Sequence, residues 1–216
     1  MLNRKRATVS KIVSGFVDVY VNRGNELKRV GLNVACGGAF DNPLNENVIP
    51  DGTVVTLRRG GITRKVVIIQ EGASECTANF LELDNALARK FRLKNKTRFV
   101  LTYNTVTKTL TMRRKRITVD TLLLSANSKM RSDRVGIGLG LAIRDGNYLN
   151  GGELITLRNG KLRSKLHFVP KGNLFNDTFS INPSVIRFLG LTSNKRYRIA
   201  YNQCKRELVF KRQVAR

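Results

Sequence analysis

One passage of this chain is written twice, and no other feature restricts its fold as much. Residues 52–72, GTVVTLRRGGITRKVVIIQEG, align without a gap on residues 152–172, GELITLRNGKLRSKLHFVPKG, with a shared TLR core and glycines at both ends. After a two-residue slip, LELDNALARKFRLKNKTRFVLTYN (81–104) lies over FSINPSVIRFLGLTSNKRYRIAYN (179–202). The match also reaches back to Arg29-Val30-Gly31-Leu32, which resembles Arg134-Val135-Gly136-Ile137. Collinear matches in three blocks define a duplicated unit of roughly 95 residues. Any fold assigned to this sequence must therefore be a small one, built twice.

Each copy reads mainly as strands. Val54 to Arg58 and Arg64 to Ile69 are β-branched runs around Arg59-Gly60-Gly61, and the second copy has Asn159-Gly160 there, a strong hairpin signal. Leu81 and Leu83 alternate as a short strand, as do Phe179 and Ile181. One helix is predicted to follow in each copy. Asn182 then Pro183 is an N-cap with a first-turn proline, and Val185 and Leu189 share a face, which places a helix over 183–190; Asp84, Leu87 and Phe91 place its counterpart over 84–93. A final hairpin closes the unit, from Arg98 to Tyr103 and Thr109 to Arg113, and from Arg196 to Tyr201 and Glu207 to Lys211. The alternating glycines of GIGLGL (136–141) fit a strand that packs closely on another backbone or bends at a barrel corner.

This order predicts a mainly β protein of two tandem homologous small barrels, each with one short helix; tandem jelly rolls are the alternative. The boundaries are a basic N-terminal arm over 1–15, a first barrel over 16–112, a basic linker over 113–118 and a second barrel over 119–216. The pattern GTVVTLRRGGITRKVVII, then a short strand, a helix and a last strand, resembles the double-psi or cradle-loop barrels. These include the N-terminal domains of VAT-type AAA ATPases and, more distantly, AbrB-like DNA-binding proteins. The resemblance covers the back two-thirds of each copy and implies a barrel fold. The segment Cys36 to Pro50, rich in Gly, Asn and Pro, does not show the helix that the double-psi pattern would place there.

Charge is the second constraint. Forty Lys and Arg stand against 15 Asp and Glu in 216 residues, a formal +25, with an apolar fraction of 41% that is enough for a folded core. No apolar run approaches the roughly 18 residues of a membrane span, so no membrane insertion is expected. Cys36, Cys76 and Cys204 have neither zinc-site spacing nor an even count, and His167 is the single histidine, so no metal or other cofactor is expected. CGGAF (36–40) and GIGLGLAI (136–143) lack the following Lys-Ser/Thr of a phosphate loop, and Leu141 stands where GxGxxG needs its last glycine. Asp41, Asp51, Asp133 and Asp145 sit near glycine-rich turns, where Asp is a common turn former. No acidic pair is duplicated, since Glu71 faces Lys171 and Glu82 faces Ser180. The sequence thus gives no reason to expect an enzyme.

The cations do show a pattern. With Asn159-Gly160 as a two-residue turn, Arg158 lies opposite Lys161, Thr156 opposite Arg163 and Leu154 opposite Lys165 on one face, while Ile155, Leu157, Leu162 and Leu166 take the other. In the first copy Thr56, Arg58, Thr63 and Lys65 share the outer face and Arg64 falls on the opposite one. Like charges across a ladder destabilise it, which suggests an anionic partner. Arg4-Lys5-Arg6 and Arg113-Arg114-Lys115-Arg116 read as phosphate contacts or flexible clamps. Tyr103, Tyr201, Phe99 and Tyr197 alternate in strands as core residues, not as platforms for stacked bases.

The expectation is a non-enzymatic protein that holds a phosphate backbone, of DNA or RNA, through basic hairpin faces and arms. It would be cytoplasmic or nucleoid-associated. The alternative is a viral or phage structural protein, part of a virion as capsid or genome-contacting component, with self-assembly into larger particles.

Overall fold

A computed structural model describes residues 11–34, 42–70, 79–172 and 176–214, with residues 212–214 described by backbone alone. The chain divides into two compact units, Met1–Lys115 and Arg116–Arg216. Each is a closed seven-stranded barrel. The first is built from β1 (Ile12–Asn22), β2 (Arg29–Asn33), β3 (Val54–Arg59), β4 (Ile62–Gln70), β5 (Phe80–Asp84), α1 (Asn85–Lys90), β6 (Thr97–Asn104) and β7 (Thr109–Arg114). The second contains β8 (Ile117–Ala126), β9 (Arg134–Gly138), α2 (Leu139–Asp145), β10 (Leu154–Asn159), β11 (Leu162–Lys171), β12 (Phe179–Ile181), α3 (Pro183–Phe188), β13 (Lys195–Asn202) and β14 (Glu207–Val214).

Around the first barrel the strands run β1, β5, β2, β4, β3, β7, β6 and back to β1. Their equivalents in the second follow the same cycle, so the duplicated blocks share one topology. The pairs β1–β5, β2–β4 and β3–β7 are parallel, as are their counterparts in the second barrel. That excludes an antiparallel jelly roll. The pairing also has an internal symmetry. Exchanging β1 with β4, β2 with β5 and β3 with β6 carries β1–β5 onto β4–β2 and β3–β4 onto β6–β1, and returns β2–β5 to itself. Each barrel is thus two interlocked half-units plus one extra strand, β7 or β14, slotted between them.

Period-two patterning fills the interiors. Val17 and Val19, Val55 and Leu57, Val66 and Ile68, Leu81 and Leu83, and Phe99, Leu101 and Tyr103 point into one core. Leu122 and Leu124, Ile155 and Leu157, Leu166 and Phe168, and Tyr197, Ile199 and Tyr201 point into the other. Closure leaves no unpaired edge strand, a state that shields each barrel from edge-to-edge association.

The expected short helix is present in each barrel at 85–90 and 183–188. Asn182 caps α3 by accepting the Ser184 N–H at 2.9 Å, ahead of Pro183. Asp84 makes no such bond; it accepts the Glu26 N–H at 2.7 Å instead. Both helices end in a Schellman pattern, with Leu93 N–H on the Ala88 carbonyl and Leu191 N–H on that of Ile186. The position after the C-cap is left-handed in both, and Arg92 (φ 53°) fills it in the first barrel where Gly190 (φ 63°) fills it in the second.

Several details differ from the sequence reading. GIGLGL is not one strand: β9 stops at Gly138 and α2 begins at Leu139. The close backbone approach holds at Gly138, where a side chain would run into the Asn176 carbonyl. The second barrel therefore carries a further helix between its second and third strands. Residues 113–118 are not a linker: β7 runs through Arg114, β8 starts at Ile117, and the Lys115 N–H bonds the Arg98 carbonyl at 2.9 Å. Nor does the arm extend to residue 15, because β1 starts at Ile12 and pairs with Asn104.

Candidate nucleic-acid interface

The β10–β11 hairpin turns one residue later than expected. Asn159 pairs with Leu162, so Gly160 and Lys161 form the loop, and Arg158 lies opposite Arg163, Thr156 opposite Lys165 and Leu154 opposite His167. Two contacts explain the shift. Gly160, at φ 56°, takes the first central position that a II′ turn gives to glycine. The Asn159 side chain is held in the ladder by donating to the Leu189 carbonyl at 2.8 Å. The shift keeps side-chain parity, so Arg158, Arg163 and Lys165 stay on the outer face and Lys161 moves into the turn. Leu162 is not core; it is 42% exposed at the barrel rim, beyond the last interior layer.

In the first barrel the expected faces hold. Arg58 lies opposite Thr63, Thr56 opposite Lys65, and Arg64 falls on the inner side opposite Leu57. The register of the neighbouring strands extends this face across five of the seven strands. One row reads Thr63 (β4), Arg58 (β3), Thr111 (β7), Thr102 (β6) and Ser14 (β1). The next reads Lys65, Thr56, Thr109, Asn104 and Ile12, and a third begins at Arg113 beside Val100. The hydroxyls are close enough to bond one another, as Ser14 Oγ and Thr102 Oγ1 do at 3.2 Å. These rows contain no carboxylate. Glu26, Glu82 and Asp84 gather instead around β5 and the loop before β2, on the other side of the ring.

The same rows in the second barrel carry different chemistry. They read Arg163, Arg158, Val209, Ala200 and Val119, then Lys165, Thr156, Glu207, Asn202 and Ile117. Val119 and Ile117 are exposed. Arg158 leans toward Glu207 at 3.7 Å and Arg206 pairs with Glu153 at 3.0 Å. Two of the four cations proposed for this hairpin, Arg163 and Lys165, project exposed from the outer face, with no ion pair among the described residues.

Of the basic runs, Arg113 and Arg114 are exposed on β7 and point to opposite faces, and Lys115 and Arg116 join the two barrels. Arg4, Lys5 and Arg6 lie outside the described residues. His167 is a surface residue whose Nδ1 meets the Gly152 carbonyl at 2.7 Å. Asp51 accepts the Gln70 N–H at 2.9 Å and Asp133 pairs with Arg131 at 2.9 Å, so both serve local structure; Asp41 lies outside the described residues. Among the described residues no three acidic, Cys or His side chains cluster to hold a metal. No helix among the described residues is long and apolar enough to cross a membrane.

Sequence reasoning missed two cations, Arg59 and Arg92. Arg59 lies at the rim of the first barrel, where its Nη1 donates to the carbonyls of Phe91 and Arg92 at the end of α1. Its guanidinium stacks 5.1 Å from the centre of the Phe99 ring. Burial lowers its pKa, and the neighbouring charges of Arg114 and Arg92 lower it further. The signal was available in the aligned copies, where Arg59 stands over Asn159 and Arg92 over Gly190. The basic excess itself is shared: 21 Lys and Arg against 9 Asp and Glu in the first unit, 19 against 6 in the second. What differs is how the charges are arranged, and only the register shows that.

In comparisons with family models, curated proteins and solved structures, the chain matches none.

Proposed function

We propose that the protein binds nucleic acid by its phosphate backbone, with the outer face of β4, β3, β7 and β6 as the principal contact. The supporting observation is the set of three adjacent rows in which Arg58, Lys65 and Arg113 flank threonine hydroxyls with no carboxylate among them. Cations supply the long-range, salt-sensitive attraction, and hydroxyls donate to phosphate oxygens without reading a base. The reading shifts the weight from the second hairpin, where Glu207 competes for Arg158, to the first barrel. Arg163 and Lys165 are secondary contacts, and DNA and RNA are both accepted.

The test compares Arg58→Gln/Lys65→Gln/Arg113→Gln with Arg163→Gln/Lys165→Gln on a generic duplex and a generic single strand over a series of salt concentrations. Each lost phosphate contact flattens the slope of log affinity against log salt by about 0.7 to 0.9. The triple variant is expected to lose about three such steps and the double variant fewer than two. An unchanged slope in the triple variant rules out this face.

A further inference from the structure

At the rim of the first barrel three arginines gather, and the second barrel has Asn159 and Gly190 in two of the three places. Arg59, from the end of β3, is anchored through Nη1 to the last carbonyls of α1 and stacks on Phe99. Phe99 lies opposite Arg114 in the β6–β7 ladder, so Arg114 leaves the same rim one strand away. Arg92 completes the group from the residue just after α1. Arg114 and Arg92 are the charges that act on Arg59, both repulsively. Among the described residues, Nε and Nη2 of Arg59 and the side chains of Arg92 and Arg114 make no hydrogen bond. An anchored guanidinium and two unengaged ones around one rim have donors and charge in excess of any protein partner.

The backbone shows how far the two copies differ here. Arg92 occupies a left-handed conformation, φ 53°, that favours glycine, and the duplicated position is Gly190 at φ 63°. The second barrel reaches the same helix end without arginine, because Asn159 there satisfies the Leu189 carbonyl that Arg59 satisfies in the first as that of Phe91. The fold thus does not require arginine at either position.

We infer that Arg59, Arg92 and Arg114 form an oxyanion site for a phosphate monoester. Three positive charges on one rim match the dianion of a terminal phosphate better than the single charge of a backbone diester, and planar guanidiniums bind its oxygens in pairs. The ligand is either a free phosphate-bearing small molecule or the phosphorylated end of a nucleic acid. The site does not depend on the backbone-binding face, which uses Arg58, Lys65 and Arg113.

The experiment titrates the full chain with inorganic phosphate at low ionic strength by calorimetry, for the wild type, Arg92→Gly and Arg114→Gln. Saturable binding is expected in the wild type, with each variant weakening it about tenfold. Arg92→Gly should also melt higher in the absence of phosphate, so its weaker binding is not a folding defect. A second arm compares oligonucleotides of one sequence ending in 5′-phosphate or 5′-hydroxyl. Preference for the phosphorylated end, abolished by Arg92→Gly, identifies nucleic-acid ends as the source; saturable phosphate binding with no such preference identifies a small molecule. Absence of saturable phosphate binding, or equal affinity in all three proteins, overturns the site. Loss of duplex binding in the Arg58/Lys65/Arg113 variant with phosphate binding intact separates the two sites.

Discussion

The two barrels share a backbone down to their left-handed turn residues, and they differ most where a side chain faces away from the core. Arg92 answers Gly190, Lys96 answers Asn194 and Lys108 answers Arg206, all at positive φ. On the outer side of the first and sixth strands the copies part. In the first barrel Asp18 and Arg98 lie opposite each other and form a two-pronged ion pair at 2.8 and 2.7 Å, with side chains only 6% and 2% exposed. Phe16 covers the guanidinium, its ring centre 4.7 Å away. In the second barrel the corresponding pair is Leu123 opposite Arg196. There the site opens into a cleft of about 340 Å³, and Leu123 is 45% exposed. Duplication has preserved the interior, where volume and period are demanding, and left the outer faces free to take separate chemistry.

The largest test of that contrast is to write the second barrel's residue into the first. Asp18→Leu leaves Arg98 buried without its carboxylate and should cost about 3–5 kcal/mol. Asp18→Leu/Arg98→Leu removes both charges and should recover most of the loss, since a buried pair stabilises little relative to apolar groups of similar size. The reciprocal Leu123→Asp, opposite an exposed Arg196, should add no more than about 1 kcal/mol. Urea unfolding with residue-level hydrogen exchange assigns each change to its barrel. Equal losses from Asp18→Leu and from the double variant would mean that packing, not charge burial, holds that face.

A pH test separates the two interiors. Tyr201 is buried, with its hydroxyl on Asn147 Oδ1 at 3.1 Å, and burial raises its pKa strongly; burial also raises that of Tyr103, its counterpart in the first barrel. A phenol whose folded pKa exceeds its unfolded value of about 10 holds its proton more tightly in the native state. Its contribution is fully present below pH 10 and is lost as pH rises from there toward the folded pKa. The second barrel should therefore unfold first on alkaline titration, with Tyr201 ionising in the unfolding step. Absorbance at 295 nm followed beside circular dichroism checks this. Early ionisation of every tyrosine before any loss of structure would show that Tyr201 is open to water.

How far the sequence foretold this follows from the same division between inside and outside. Period-two runs such as Val55-Leu57 and Ile155-Leu157 made the interior strands readable, because a core face tolerates little else. The helix α2 was not readable, since Gly138 and Gly140 look like strand glycines until Asn176 is seen against Gly138. The turn at Gly160-Lys161 was missed because Asn159 is held by a carbonyl thirty positions away. The hydroxyl row across β4, β3, β7, β6 and β1 was invisible for a different reason: its two hairpins and β1 lie far apart in sequence and are joined only by the parallel β3–β7 and antiparallel β1–β6 pairings. The ion pair of Asp18 and Arg98 has the same origin, being eighty residues apart.

A smaller effect concerns the ends of the equivalent helices α1 and α3. Gly190→Arg places a side chain in the left-handed region at φ 63°, where only Leu162 approaches, at 4.0 Å, so the penalty is conformational and not steric. A loss of about 1 kcal/mol is expected, mirrored by a similar gain for Arg92→Gly in the first barrel. Thermal unfolding of the two variants and their combination checks it. If Arg92→Gly destabilises, Arg92 contributes a contact to the fold that outweighs its strain.

The smallest expected change in stability carries the sharpest question about function. Glu207 stands in the row where the first barrel has Thr109, and it draws Arg158 toward itself at 3.7 Å. Glu207→Thr copies the first barrel's residue into the second. An ion pair at that distance, with Arg158 about one-third exposed, contributes at most about 1 kcal/mol, and relief elsewhere is small because Arg163 still faces Arg158 across the ladder. Removing the carboxylate frees Arg158 for phosphate and takes one negative charge from the face. Nucleic-acid affinity should rise, and the salt dependence should steepen by about 0.7 to 0.9, the value of one added contact. If the slope stays fixed while affinity rises, the carboxylate acted only by long-range repulsion and Arg158 does not reach the backbone. If neither moves, the second barrel's hairpin takes no part in binding, and the asymmetry between the two faces is complete.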